Sequence, residues 1–174
     1  MKKPKPITND QAAKLLRRLD HRDQLLLRLA IQSGLRISDL LKLTKADIGR
    51  TMTVYESKSR RDRTFKIDAE LLQDLQNYLK YKKYASIVFH SSRDSTKAVH
   101  RSTIHRRIKK ALRGLKFNAS VHSARKLYAH NIFSDTHDLQ KVQEALHHRN
   151  LLTTLAYLDI DPAVLKIEVE NAKE

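Results

Sequence analysis

One break in an otherwise helical pattern constrains this chain more than any other feature. Apolar residues recur at helical spacing over most of its length, but not between Gly49 and Asp68. There, residues 51–56 (TMTVYE) and 63–67 (RTFKI) are rich in Thr, Val, Tyr, Phe and Ile and read as two strands. Ser57-Lys58-Ser59-Arg60-Arg61-Asp62 lies between them as a basic hairpin tip. The fold class this predicts is α+β, mainly α-helical with one small antiparallel β-hairpin.

Helix signals surround the hairpin. Thr8 and Gln11 form a capping box, opening a helix to about Leu19 with Ala12, Leu15, Leu16 and Leu19 on one face. A Leu-rich helix covers about Asp23 to Ser33, and Gly34 ends it. Ser38 caps a short helix through Leu43, and Thr44 to Asp47 makes a turn. Asp68 caps a helix carrying Leu71, Leu72, Leu75, Tyr78 and Leu79, and residues 86–90 read as a short strand or an extended link. Ser102 opens a helix to about Leu115, with Ile104, Ile108, Ala111, Leu112 and Leu115 inward. Further helices cover Val121 to about Ser134 and Asp138 to His147. Asn150 caps another with Leu151, Leu152 and Leu155 as its stripe. Residues 1–7 read as a basic arm or linker remnant, 8–159 as one domain, and 160–174 as a helical tail opened by Asp161-Pro162. Val164, Leu165, Ile167 and Val169 give that tail an apolar surface.

Charge narrows the partners. Lys and Arg number 35 against 19 Asp and Glu, a formal net charge of +16. Such an imbalance points to a polyanion, most simply nucleic acid, with an anionic membrane surface as the other option. One helix face shows only positive charge, with Arg106, Lys109, Lys110 and Arg113. No apolar run approaches a membrane span, and the basic N-terminus lacks the apolar stretch of a signal peptide. Cysteine is absent, and the nine histidines show no HExxH-like pattern, so neither a disulfide framework nor a metal site is expected. The expected location is the cytoplasm, associated with the nucleoid.

Four separated pieces carry the chemistry. They are Gly34-Leu35-Arg36-Ile37-Ser38-Asp39-Leu40, Lys58 on the hairpin, His122-Ser123-Ala124-Arg125, and Leu146-His147-His148 with Tyr157 nine residues after His148. Each alone is weak. In this order and spacing, the set resembles the catalytic domain of the tyrosine recombinases, the phage integrase family. That family's pattern is GLRxSEL, a hairpin lysine, HxxR, LGH and a tyrosine. The resemblance covers about Thr8 to Asp159.

It implies a site-specific DNA strand transferase that uses neither metal nor other cofactor nor ATP. Two guanidiniums, Arg36 and Arg125, would hold the scissile phosphate by paired N–H bonds while staying charged at any working pH. Tyr157 would attack it, leaving a 3′-phosphotyrosyl link and a free 5′-hydroxyl. Lys58 would protonate the leaving oxygen, and His122 would act as general base or phosphate ligand. His148 would donate a hydrogen bond to the phosphate, and Asp39 would orient its neighbours. Self-assembly on double-stranded DNA, from dimer to tetramer, follows from the family, with the tail docking on a neighbouring protomer. Arg60, Arg61 and Arg63 rival Lys58 and are expected to touch backbone phosphates. Register against the family's GKGxKxR hairpin favours Lys58. Tyr128, three residues after Arg125, is the rival nucleophile, flanked by Leu127 as a core or supporting residue would be.

The chain departs from the pattern in places. His147 replaces the family's usual glycine, Lys126 follows Arg125 where many members have His, and Leu158-Asp159 follow the tyrosine in place of Thr-His. Two other readings share many of these residues: a type IB topoisomerase-like nicking and rejoining enzyme, and a catalytically idle DNA-binding protein.

Overall fold

Thr8 opens the first helix as the capping box predicts. Its hydroxyl accepts from the Gln11 amide, and the Gln11 side chain accepts from the Thr8 amide. The computed structural model describes residues 6–82 and 86–161. Helix α1 is Asn9–Leu16, and the residues to Leu19 tighten into i→i+3 bonds. Helix α2 is His21–Ser33, two residues longer than expected because Asp20 caps it through the Asp23 amide. Helix α3 is the single turn Ile37–Leu40, with Arg36 as its N-cap in place of Ser38. A 3₁₀ turn at Lys45–Asp47 follows, closed by reciprocal bonds between Thr44 and Asp47.

Strands β1 (Thr51–Glu56) and β2 (Arg61–Lys66) pair antiparallel, from Thr51 opposite Lys66 to Glu56 opposite Arg61. Side chains alternate faces along a strand, and here Met52, Val54 and Glu56 point inward with Arg63 and Phe65. The hairpin loop is therefore Ser57 to Arg60, with Arg60 in the left-handed region (φ 54°). Helix α4 (Ala69–Lys80) begins at Asp68, whose carboxylate accepts from the Leu71 amide. Residues 86–90 form neither a strand nor a fully extended link: a turn at Val88 and Phe89 separates the isolated bridges Thr44 to Ile87 and His90 to Ala98. Helix α5 is Arg101–Ala111, capped by His100.

The chain divides into two compact units, residues 1–128 and 129–174, within helix α6 (Val121–Thr136). In the first, Leu15, Leu25, Leu26, Leu29 and Leu40 join Met52, Phe65, Leu71, Phe89 and Ile104 in one core. The second holds α7 (Leu139–Ala145) and α8 (Leu151–Leu158), which pack on each other and bury Val142, Leu146, Leu155 and Leu158. Asn150 caps α8 as predicted, accepting from the Leu152 amide. The apolar stripe corrects the expectation. Thr154, Leu155 and Leu158 form the buried face, while Leu152 is 57% exposed and Leu151 is also exposed. Three leucines in one turn and a half did not determine the rotation of the helix. The predicted C-terminal helix, with Val164 to Val169, falls on 162–174, outside the described residues.

Candidate active site

Everything in the first unit's cluster begins at the end of α2. The last carbonyls of a helix lack partners within it and carry its negative dipole end. Gly34 terminates α2 in the left-handed region (φ 63°), and two arginines supply donors to that end. Arg63 Nη1 donates to the Ser33 carbonyl at 2.8 Å, and Arg125 Nη1 donates to the Gly34 carbonyl. Two residues on, the chain delivers Arg36.

Glu56 meets all three arginines. It is the last residue of β1, on the strand's inward face, and fully buried. Its Oε1 accepts from Arg36 Nη1 at 3.1 Å and from Arg125 Nη1 at 3.3 Å. Those two nitrogens are thus at most 3.1 plus 3.3 Å apart. Oε2 accepts from the Ser59 hydroxyl at 2.9 Å and lies 3.6 Å from Arg63 Nε. Burial alone would raise the pKa of such a carboxyl. Arg63, Arg125, the Ser59 hydroxyl and Arg36 outweigh it and hold Glu56 below its usual value, so it is ionised. Three guanidiniums around one carboxylate leave an excess of two positive charges (3 − 1). Arg125 is 3% exposed and Arg36 keeps 23% of its side chain open.

Two arginines of the hairpin differ from expectation. Arg63 was expected on DNA phosphates. It is 4% exposed and committed to Ser33 and Glu56, because an inward strand position next to a helix end has use for a cation. Arg61 belongs to β2 and not to the tip, although it stays exposed. Arg60 and Lys58 are exposed on the loop itself.

That loop is held on both sides of Lys58. Ser57 donates its amide (3.3 Å) and its hydroxyl (3.0 Å) to Asp39 Oδ1, while Ser59 donates to Glu56. Lys42 Nζ donates to the Ser57 hydroxyl at 2.8 Å. Asp39 is buried at 1% exposure. The family's hairpin pattern has glycines on either side of the lysine. Here serines stand there, each fastened to a buried carboxylate.

Helix α6 presents the other histidine–arginine pair. Ser120 and Ser123 cap its start reciprocally, amide to hydroxyl at 3.1 and 3.2 Å, so His122 is not needed as the cap. Arg125 points inward and His122 is exposed. Partial desolvation, with Arg125, Lys126 and Arg36 nearby, lowers the His122 pKa below 6.5 and leaves the ring neutral at pH 7. One turn on, the Tyr128 ring lies over Gly34. A Cβ at Gly34 would come within 2.3 Å of Tyr128 Cδ1. Burial pushes the Tyr128 hydroxyl above its ordinary pKa, which suits the core role expected of it.

In the second unit, His148 and Tyr157 come together. Their rings meet edge to face, with centroids 5.3 Å apart. His148 Nδ1 lies 3.1 Å from the hydroxyl of buried Thr154, and its carbonyl accepts from Gln143 Nε2 at 3.1 Å. Both rings are partly exposed. His147 takes φ 50°, a left-handed conformation that explains why glycine is usual at this position.

On α5 and the turn after it, Arg106, Lys109, Lys110 and Arg113 are all exposed. Arg107 turns away from that face to Asp20 at 3.4 Å and buried Asp23 at 3.3 Å. Sequence reasoning missed Glu56, Ser57, Ser59 and Thr154. Only Glu56 left a signal: a carboxylate in phase with Met52 and Val54.

The chain belongs to the phage integrase family, whose model matches residues 5–163. A curated relative, "Tyrosine recombinase XerA" of Pyrococcus horikoshii, is 30% identical over 98% of this chain, which spans 62% of that relative's length. The crystal structure of XerA recombinase has the same fold, with a TM-score of 0.78 and 21% identity over 100% of this chain and 67% of the other. XerH site-specific recombinase bound to palindromic difH, in a post-cleavage complex, gives 0.76 and 22% over 99% of this chain and 54% of the other. Among the described residues no helix is long and apolar enough to cross a membrane.

Proposed function

We propose that this chain is the catalytic part of a site-specific DNA recombinase that cuts and rejoins strands through a 3′-phosphotyrosine. The observation that carries this is the pair Arg36 and Arg125, drawn to a single oxygen of a buried glutamate with a net positive charge to spare. Phosphoryl transfer asks the protein mainly for positioning and charge stabilisation. Two adjacent guanidiniums supply both to the non-bridging oxygens. Membership of the family and the likeness to DNA-bound XerH support DNA as the partner, and self-assembly on it is proposed from the family pattern.

In this reading Tyr157 Oη attacks phosphorus, an Oη–P bond forms and the P–O5′ bond breaks. The 5′-oxygen takes a proton from Lys58 Nζ, whose loop is held by Ser57 and Ser59. His122, its pKa lowered by partial desolvation and by nearby Arg125, Lys126 and Arg36, takes the proton that Tyr157 Oη loses; where it instead donates to a phosphate oxygen, that proton passes to water. Were the Thr154 hydroxyl, 3.1 Å from His148 Nδ1, to donate to it, Nε2 would carry the ring's proton and could donate to phosphate. Asp39 acts through Ser57, without touching substrate. A 5′-hydroxyl attacking the phosphotyrosine reverses the step, and the phosphodiester energy is kept. Arg60, Arg61 and the α5 face would grip backbone phosphates.

The test starts from a pool of nicked duplexes with randomised sequence, in which the cut fragment diffuses away. Denaturant-resistant adducts through a 3′-phosphate are expected, and the enriched sequence should then support four-way junctions between two duplexes. Failure of the wild-type chain to form any adduct overturns the proposal. Adducts and relaxation without junctions would instead favour the topoisomerase-like activity.

A further inference from the structure

We infer that Glu56 is a positioning residue, which sets the geometry of both candidate phosphate-binding arginines and of the Lys58 loop at once. The inference rests on the recombinase reading and adds a residue to it. Arg36 and Arg125 come from elements far apart in sequence, the α2–α3 turn and the first turns of α6. Like charges repel, and nothing in either element alone would bring two guanidiniums together. Glu56 Oε1 accepts from both. Its second oxygen accepts from Ser59, the residue after Lys58. One carboxylate thus ties the candidate phosphate ligands to the candidate acid.

Burial makes the tie stiff. A fully buried carboxylate with three guanidinium partners has no water to exchange into, and its own position is fixed by the β1–β2 ladder. Arg36 keeps part of its side chain at the surface. Glu56 itself is sealed inside, so it reaches substrate only through the residues it holds. Catalytic groups must be held to within a fraction of an ångström by such supports.

Two variants separate position from charge. Glu56→Asp keeps the charge but, one methylene shorter, cannot span both arginines and Ser59. Glu56→Gln keeps the length and loses the charge. Each is compared with wild type for adduct formation on saturating nicked duplex, for DNA affinity, for thermal unfolding, and for the arginine Nε–H signals of Arg36 and Arg125 by NMR. Both variants should slow adduct formation by about 100-fold, as expected of a misplacement near 1 Å. DNA affinity should stay near wild type, and the two Nε–H signals should broaden or exchange faster. Glu56→Asp should remain folded at the assay temperature. A rate within about two-fold of wild type in Glu56→Asp, or one that falls only in step with folded protein, overturns the inference. If the wild-type chain forms no adduct, the recombinase reading fails. The Nε–H signals then decide the positioning role alone, and unchanged signals in both variants overturn it.

Discussion

Replacing Gly34 with alanine should cost far more than the same change at Gly114, although both glycines have positive φ (63° and 77°). A residue with a Cβ in the left-handed region is penalised by about 1–2 kcal/mol. Alanine also restricts the unfolded chain, which returns about 0.4–1 kcal/mol. At Gly114 nothing lies within 4 Å of the added carbon, so only the difference of these two terms remains, about 1 kcal/mol. At Gly34 the new Cβ meets Tyr128 Cδ1 at 2.3 Å, Cε1 at 2.5 Å and Cγ at 2.9 Å. The ring must shift by about an ångström, an overpacking cost of roughly 1–3 kcal/mol. The sum for Gly34→Ala is about 3 kcal/mol, or roughly 6–12 °C in melting temperature for a chain of this size. Thermal unfolding followed by circular dichroism reads both variants. Repeating Gly34→Ala in a Tyr128→Ala background should remove the steric part and leave only the backbone part. Equal costs at Gly34 and Gly114, or the same cost with and without the Tyr128 ring, would refute the reasoning. Because the Gly34 carbonyl accepts from Arg125, adduct formation should fall in the variant even where it remains folded.

Other outcomes follow from the same geometry. Alanine at Arg106, Lys109, Lys110 or Arg113 should each reduce the log–log salt slope of DNA binding by about 0.9, whereas Arg63→Ala should leave the slope alone and lower stability by about 3 kcal/mol, since it strips a buried carboxylate of a partner. An NMR titration of His122 should have its midpoint below 6.5 and move up when Arg36 is replaced by alanine; because the folded value is the lower one, the unfolded chain protonates first and this residue's contribution to stability is lost as pH falls below 6.5. Asp39→Ala should speed hydrogen exchange at the Ser57 amide and slow adduct formation, with DNA affinity unchanged.

Local chemistry made much of the fold legible. Thr8, Asp68 and Asn150 cap helices because a short polar side chain can accept from amides the helix leaves open. The strand β1 was readable from its content of Thr, Val and Tyr. What escaped reading depends on partners distant in sequence. Arg63 shares a face with Phe65, yet an arginine reads as a surface residue until the carbonyl of Ser33 and the carboxylate of Glu56 are known to lie opposite. Glu56 is inward by the same parity, and its role appears only when Arg36 and Arg125 arrive from 20 residues before and 69 residues after. Ser57 and Ser59 looked like ordinary loop residues because their acceptors, Asp39 and Glu56, are buried carboxylates that the pattern placed elsewhere. For α8 the phase was ambiguous, since Leu151, Leu152 and Leu155 fit one face and Thr154, Leu155 and Leu158 fit another.

The central claim is that Tyr157 becomes covalently joined to a DNA 3′-phosphate. Digesting the trapped adduct with protease and nuclease and sequencing the nucleotide-bearing peptide by mass spectrometry tests it most directly. The account predicts a single modified residue, Tyr157, in the α8 peptide, and no adduct from Tyr157→Phe, which keeps the ring packed against His148 and still binds DNA. A nucleotide found on Tyr128 or on any other residue, or an adduct that persists in Tyr157→Phe, would contradict it.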